Sequence, residues 1–143
     1  MRYEFTLSVK LPAVPQIVFD AWLSSEGHTG MTGGVAHLIR TVGEPYEAWD
    51  GYITGRTLEI DPTKRIHQTW RTSRFPRETE DSVVEILLTP EGNAETSFTL
   101  HHRNVPDDHT SYESSRWQQY YFEPMQRRFK WLRLKDVMQA VAR

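Results

Sequence analysis

At 143 residues, with no cysteine and a formal net charge of −2, the chain has the size of one domain and lacks the groups that several functions need. Disulfides, thiolate metal sites and a cysteine nucleophile are excluded together, and without a basic stripe before the last helix nucleic acid is not an expected partner. No stretch is apolar for long enough to be a signal peptide or a membrane span, so the expectation is a cytoplasmic protein of a single domain covering residues 1–143.

Arg2–Leu11 alternates Tyr3, Phe5, Leu7 and Val9 with polar residues, the pattern of a half-buried strand. Pro12 and Pro15 end it, and Pro15 suits the first turn of a helix running through Ile17, Val18, Ala21 and Trp22 to Leu23. Residues 24–34 (SSEGHTGMTGG) read as one more short helical turn and then a glycine loop, a candidate lip for a cavity. From Val35 the period becomes two. Val35–Thr41, Tyr46–Trp49, Tyr52–Ile60, Arg65–Thr72, Ser82–Thr89 and Glu95–Arg103 all read as strands separated by short turns, so neighbours are antiparallel. Asp50-Gly51 is a hairpin dipeptide, because both central residues of a type I′ turn need positive φ.

Asn104-Val105-Pro106 breaks the sheet. Asp108 or Thr110 is then a candidate cap, with Glu113 as capping-box partner of Thr110, for a helix over Tyr112–Ala142. Trp117, Tyr121, Met125, Phe129 and Leu132 form one apolar face of that helix. A second row, Trp131, Leu134, Met138 and Val141, takes over later and is expected to pack on the first strand and helix. Pro124 should kink the helix just before itself. The predicted fold class is therefore α+β: a curved seven-stranded antiparallel sheet gripping a long C-terminal helix, with one or two short helices between strands 1 and 2.

From Gly51 onward the residues resemble a known family. GYITGRTLEIDPTKRIHQTWR is similar to the G-x-x-x-G … D-P … I-x-x-x-W-R run in the C-terminal domain of the activators of heat-shock protein 90 ATPase. The likeness continues through Ser82–Leu88, Thr96–Leu100, Asn104-Val105-Pro106 and RWQQYYF at 116–122, close to the family's G-W-x-x-Y-Y-F signature. Two family glycines are replaced, by Asn104 and by Arg116; Asn tolerates the left-handed conformation. The resemblance implies the helix-grip fold of the START-like (SRPBCC) group, whose members often hold apolar ligands between sheet and helix. It also implies a chaperone as a partner, although it does not extend to the separate N-terminal domain that does much of the docking in eukaryotic activators.

No catalytic constellation is legible, and neither a metal nor a cofactor is expected. The six histidines include the adjacent pair His101 and His102, which point to opposite faces of a strand and cannot easily share a metal. His102 shares parity with Phe98 and Leu100, so it is the one weak catalytic candidate; the plainer reading is a strand-end histidine reaching solvent. On Tyr52–Ile60 the parity of Tyr52, Thr54, Arg56 and Leu58 is the more apolar. With that face inward, Thr54, Arg56 and Gln68 would form a polar cluster; otherwise Arg56 pairs with Glu59 or Asp61 near the edge. Glu78, Glu80, Asp81, Asp107 and Asp108 read as solvated loops or caps. The rings of Phe19, Trp22, Trp49, Tyr52, Trp70, Phe98, Trp117 and Tyr121, with Met125, line the predicted space between sheet and helix. Three functions follow as expectations: binding of a small apolar or aromatic ligand there, a co-chaperone-like module stimulating a chaperone ATPase, or a cyclase- or dehydratase-like enzyme in the same cavity. A homodimer is left open.

Overall fold

The computed structural model describes residues 2–106 and 110–142, without the side chains of residues 110–112. Strand β1 (Tyr3–Leu11) leads into helices α1 (Pro15–Trp22) and α2 (Ser25–Thr32). Strands β2 (Pro45–Ala48), β3 (Ile53–Asp61), β4 (Arg65–Thr72), β5 (Ser82–Glu91) and β6 (Glu95–Val105) follow. The last helical stretch is α3 (Thr110–Trp117), a π-helical segment (Gln118–Phe122) and α4 (Glu123–Val141). The strands form one antiparallel sheet in the order β1-β6-β5-β4-β3-β2.

The sheet has six strands, and the missing seventh is the predicted strand over Val35–Thr41. That segment makes only a single bridge, His37 to Glu47. Helix α2 claims its backbone instead: Ala36 N–H donates to Thr29 Oγ1 at 2.9 Å and Leu38 N–H to Ser25 Oγ at 2.8 Å. Ala36 and Leu38 are buried while Val35, Ile39 and Val42 are exposed. The alternation in the sequence therefore reflects a real inner face without a ladder. Helix α2 is itself longer than the one turn expected. Ser24 caps it by accepting from Gly27 N–H, and Gly33 ends it at φ 86°.

The turn chemistry follows the sequence. Asp50 and Gly51 have φ of 56° and 87°, and Tyr52 N–H donates to Trp49 C=O at 3.1 Å, the type I′ geometry expected of that dipeptide. Asn104 has φ of 60°, the left-handed conformation for which a glycine is the usual choice. Its side chain also accepts from Arg2 Nε and donates to Asp81 C=O. The candidate caps Asp107 and Asp108 lie outside the described residues.

Pro124 does not break the last helix. A proline has no N–H to donate and its ring crowds the carbonyl four residues back. The five residues before Glu123 take a wider π-turn, in which Glu123 N–H bonds to Gln118 C=O. The core lies between sheet and helix, where Trp70 of β4 meets Trp117 (centroids 4.7 Å apart) and Phe98 of β6 meets Phe122 (5.9 Å). One expectation about this packing fails. Trp131, Leu134 and Met138 are 50, 53 and 70% exposed, and Val141 is exposed too. The second half of α4 passes its apolar row outside the body, and only Leu132 of that region is half-buried.

Candidate functional site

A cavity of about 210 Å³ lies where the first half of the terminal helix crosses β3 and β4. The sheet contributes Ile53, Trp70 and Thr72, and the β2–β3 turn contributes Trp49 and Tyr52. The helix contributes Glu113, Arg116, Trp117, Tyr120 and Tyr121, which recur at i, i+3, i+4, i+7 and i+8 along one face. Ile53, Trp70, Thr72, Glu113, Trp117 and Tyr121 are buried and make the floor. Trp49, Tyr52, Arg116 and Tyr120 are half-buried and make the mouth. There the Arg116 guanidinium lies over the Tyr120 ring at 4.1 Å and the Tyr52 ring at 5.4 Å, and Tyr120 meets Trp49 edge-on at 5.3 Å. The glycine loop after α2 supports this mouth, because a Cβ on Gly34 would lie 2.3 Å from the Trp49 ring.

Glu113 is the unexpected member. Only 3% exposed, its carboxyl is pushed up to about pKa 7 by burial, against the opposing pull of Arg116 and Arg74. Its Oε1 has no hydrogen-bond partner, nor do Nε1 of Trp49 and Nε1 of Trp70, although all three atoms are buried. All three residues line the cavity, but these three atoms are sealed from it.

Behind the floor, two buried histidines hold the aromatic walls in place. Trp117 Nε1–H donates to His102 Nδ1 at 3.1 Å. The neutral imidazole therefore carries its proton on Nε2 and donates to Ser82 Oγ at 2.7 Å; Ser82 donates in turn to Trp70 C=O. His28 uses the other tautomer. Its Nδ1–H donates to Trp22 C=O and its Nε2 accepts from the Tyr121 hydroxyl, each at 2.9 Å. Burial lowers His28 to about pKa 4 and His102 to about 3, the latter helped slightly by His101. Trp22 Nε1–H donates to Gln68 Oε1, and Gln68 Nε2–H to Thr57 Oγ1.

The residues expected around the cavity divide three ways. Trp49, Tyr52, Trp70, Trp117 and Tyr121 line it. Phe19, Trp22, Gln68, Phe98, Leu100, His102 and Met125 are buried in the core beside or beyond it. Thr54 and Arg56 are a correction: both are exposed, and Leu58 is 41% exposed. The inward face of β3 is Ile53, Gly55 and Thr57. Gly55 belongs there because the Tyr46 ring of β2 crosses it; a Cβ would sit 2.6 Å from Tyr46 Cε1 and 2.1 Å from Thr69 O. Arg56 instead donates to the carbonyl of Gly43, and Glu59 pairs with Arg65 at 3.0 Å.

His102 is a second correction. It is fully buried and hydrogen-bonded, neither a strand-end group in solvent nor a wall of the cavity. Among the described residues no three of His, Cys, Asp and Glu come together as a metal site would require, and no helix is long and apolar enough to cross a membrane. His109 lies outside them. Sequence reasoning missed Ile53, Thr72, Glu113, Arg116 and Tyr120. A signal for the last three was present: the helical face containing Trp117 and Tyr121 extends back through Arg116 to Glu113 if polar residues are counted along with apolar ones.

An antiparallel sheet closed on a long terminal helix, with an aromatic cavity between the two, is the helix-grip (START-like) fold. Solved structures agree. An HSP90 activator from Plasmodium falciparum superposes with a TM-score of 0.73 at 21% identity, over 83% of this chain and 89% of that one. A protein of Mesorhizobium loti superposes with a TM-score of 0.74 at 17% identity, over 90% and 97%. The chain belongs to the family "Activator of Hsp90 ATPase homolog 1-like protein", whose pattern matches residues 12–130. The mouse activator of 90 kDa heat shock protein ATPase homolog 1 is 27% identical over 127 residues. That match takes in 88% of this chain and 37% of the mouse protein, so the chain spans little more than a third of that relative.

Proposed function

We propose that this family member binds a small aromatic ligand in the cavity between β3, β4 and the first half of the terminal helix. The observation that carries the reading is a cavity of about 210 Å³ walled by six aromatic residues. The volume limits the occupant. An apolar space of about 150 Å³ accepts benzene, so this one suits a molecule of one or two rings and not a long lipid. A thermal-shift screen against one- and two-ring aromatics tests the reading. A ligand present at about a hundred times its Kd should stabilise the fold by about 2.7 kcal/mol, a rise of several degrees. No stabilisation by any member, with native mass spectra showing only free protein, would overturn it.

A second reading is favoured by a separate observation. The exposed row Trp131, Leu134 and Met138 lies among basic side chains, with Arg128 and Lys135 over the Trp131 ring at 5.1 and 5.2 Å. An apolar strip bordered by cations suits an acidic protein surface. The relatives named as activators of a 90 kDa heat shock protein ATPase make that chaperone the partner to test. Trp131→Ala with Met138→Glu should abolish capture of the chaperone and any rise in its ATP turnover, while Glu113→Gln leaves both unchanged. Sedimentation of the protein alone distinguishes a homodimer through the same row. The cyclase- or dehydratase-like reading loses His102 as its acid–base group, since that imidazole is paired on both nitrogens and neutral down to about pH 3.

A further inference from the structure

The two ends of the cavity differ in chemistry. Its floor is made by the buried side chains of Ile53, Trp70, Thr72, Trp117 and Tyr121, which carry no charge at neutral pH. Its mouth holds a cation. The Arg116 guanidinium lies over the Tyr120 ring of the helix at 4.1 Å and over the Tyr52 ring of the β2–β3 turn at 5.4 Å. The charge therefore stands beside one ring from each side of the entrance. Arg116 keeps it at any working pH.

One acidic residue, Glu113, lies among the described residues that line the cavity. It is buried, and burial holds its carboxyl at about pKa 7 against the pull of Arg116 and of Arg74 in the β4–β5 loop. At about pH 6 this acid is mostly neutral, so it does not cancel the cation at the mouth.

Stacking on a ring uses the face of a guanidinium and leaves its N–H donors in the plane. There are five of them, and a carboxylate takes two as a fork. Contacts within the protein and a bound carboxylate can thus be held together. Arg116 is half-buried, where an ion pair is screened less than on an open surface. A neutral aromatic molecule would fill the floor and make no use of the charge. A molecule with a ring at one end and an anion at the other matches both ends of the cavity.

We propose that the cavity takes a one- or two-ring aromatic carboxylate, with the ring on the floor against Trp70, Trp117 and Tyr121 and the carboxylate paired with the Arg116 guanidinium at the mouth. The proposal rests on the ligand-binding reading above and adds the charge and the orientation of the ligand. The family signature has glycine in place of Arg116, so this preference belongs to this chain and not to the helix-grip fold.

A matched pair of probes tests it: 2-naphthoate and 2-naphthamide, of nearly the same shape and different charge. Each is titrated into the intact protein by calorimetry at about pH 6. The carboxylate should bind about tenfold or more tightly than the amide, the ratio expected of hydrogen bonds to a charged group. Arg116→Gln should weaken 2-naphthoate by about the same factor and leave 2-naphthamide within about threefold. Arg116→Lys keeps the charge without the fork and should retain part of the preference. The comparison on the parent protein needs no variant, so it stands even if a substitution disturbs folding. Equal affinities for the two probes, or equal weakening of both by Arg116→Gln, would overturn the inference and leave the ligand-binding reading standing. If the aromatic screen yields only neutral ligands, the inference alone falls. If nothing in the screen binds, both fall.

Discussion

The indole N–H of Trp117 donates to Nδ1 of His102 at 3.1 Å, inside a core where neither residue reaches water. The bond ties the helix to β6, and through Ser82 to the carbonyl of Trp70 on the neighbouring side of the sheet. His102→Ala should leave the Trp117 N–H unpaired and open a cavity, lowering stability by about 2–5 kcal/mol in denaturant titration. Trp117→Ala, by the same reasoning, is a heavy stability change of about 3–5 kcal/mol and a poor probe of ligand binding. Half-buried Trp49 and Tyr120 are the better probes. Loss of less than about 1 kcal/mol in either His102→Ala or Trp117→Ala would show that the tie is not formed.

The pH dependence of stability has two opposed parts. His28 and His102 have folded pKa values of about 4 and about 3, below the ordinary 6.5, so the unfolded chain binds more protons than the folded one between these values. Stability from this source is complete above about pH 6.5 and is lost as pH falls towards 4 and then 3. Glu113 has the opposite sign. Its folded pKa of about 7 lies above the ordinary 4.5, so its contribution falls as pH rises from 4.5 through 7. Glu113→Gln should therefore be more stable than the parent at about pH 8, by about 1–3 kcal/mol, and closer to it at about pH 5. Unfolding curves across this range check the crossover, and parallel curves for the two proteins would contradict the burial of a titrating Glu113.

Gly55→Ala should be among the most damaging small changes. The added methyl would sit 2.1 Å from the Thr69 carbonyl oxygen and 2.6 Å from the Tyr46 ring, while Tyr46 is held by its own bond to that same oxygen at 2.6 Å. Neither neighbour can withdraw cheaply, so a loss of about 2–4 kcal/mol is expected by thermal denaturation. At Gly34 the three atoms nearest an added methyl all belong to the Trp49 ring at the cavity mouth. It should cost less stability, alter Trp49 fluorescence and weaken any ligand.

The two halves of the terminal helix should respond differently to truncation. Leu132 is half-buried against the core and should cost about 1–3 kcal/mol as alanine, whereas Met138→Ala should change stability by no more than about 0.5 kcal/mol. A large loss at Met138 in the protein alone, varying with protein concentration, would reveal self-association through that row.

The order of elements, the alternation of β1, β4, β5 and β6, the left-handed positions at Asp50, Gly51 and Asn104, and the family itself were legible in the sequence. Each depends on local chemistry: a period of two, a residue that tolerates positive φ, a run of motif residues in order. What the sequence left undecided depends on what stands opposite. The alternation of Val35–Thr41 predicts a strand, but Ser25 and Thr29 reach across from α2 and take its backbone groups. The face of β3 is reversed because Tyr46 needs Gly55 beneath it. His102 shares the parity of core residues whether or not Ser82 and Trp117 meet it, and only that meeting makes it neutral and inert. Glu113, by its place near a helix start, reads as a cap. The tertiary structure encloses it with Trp49 and Trp70, and burial alone turns an ordinary carboxylate into a group that titrates near neutrality on the wall of a cavity.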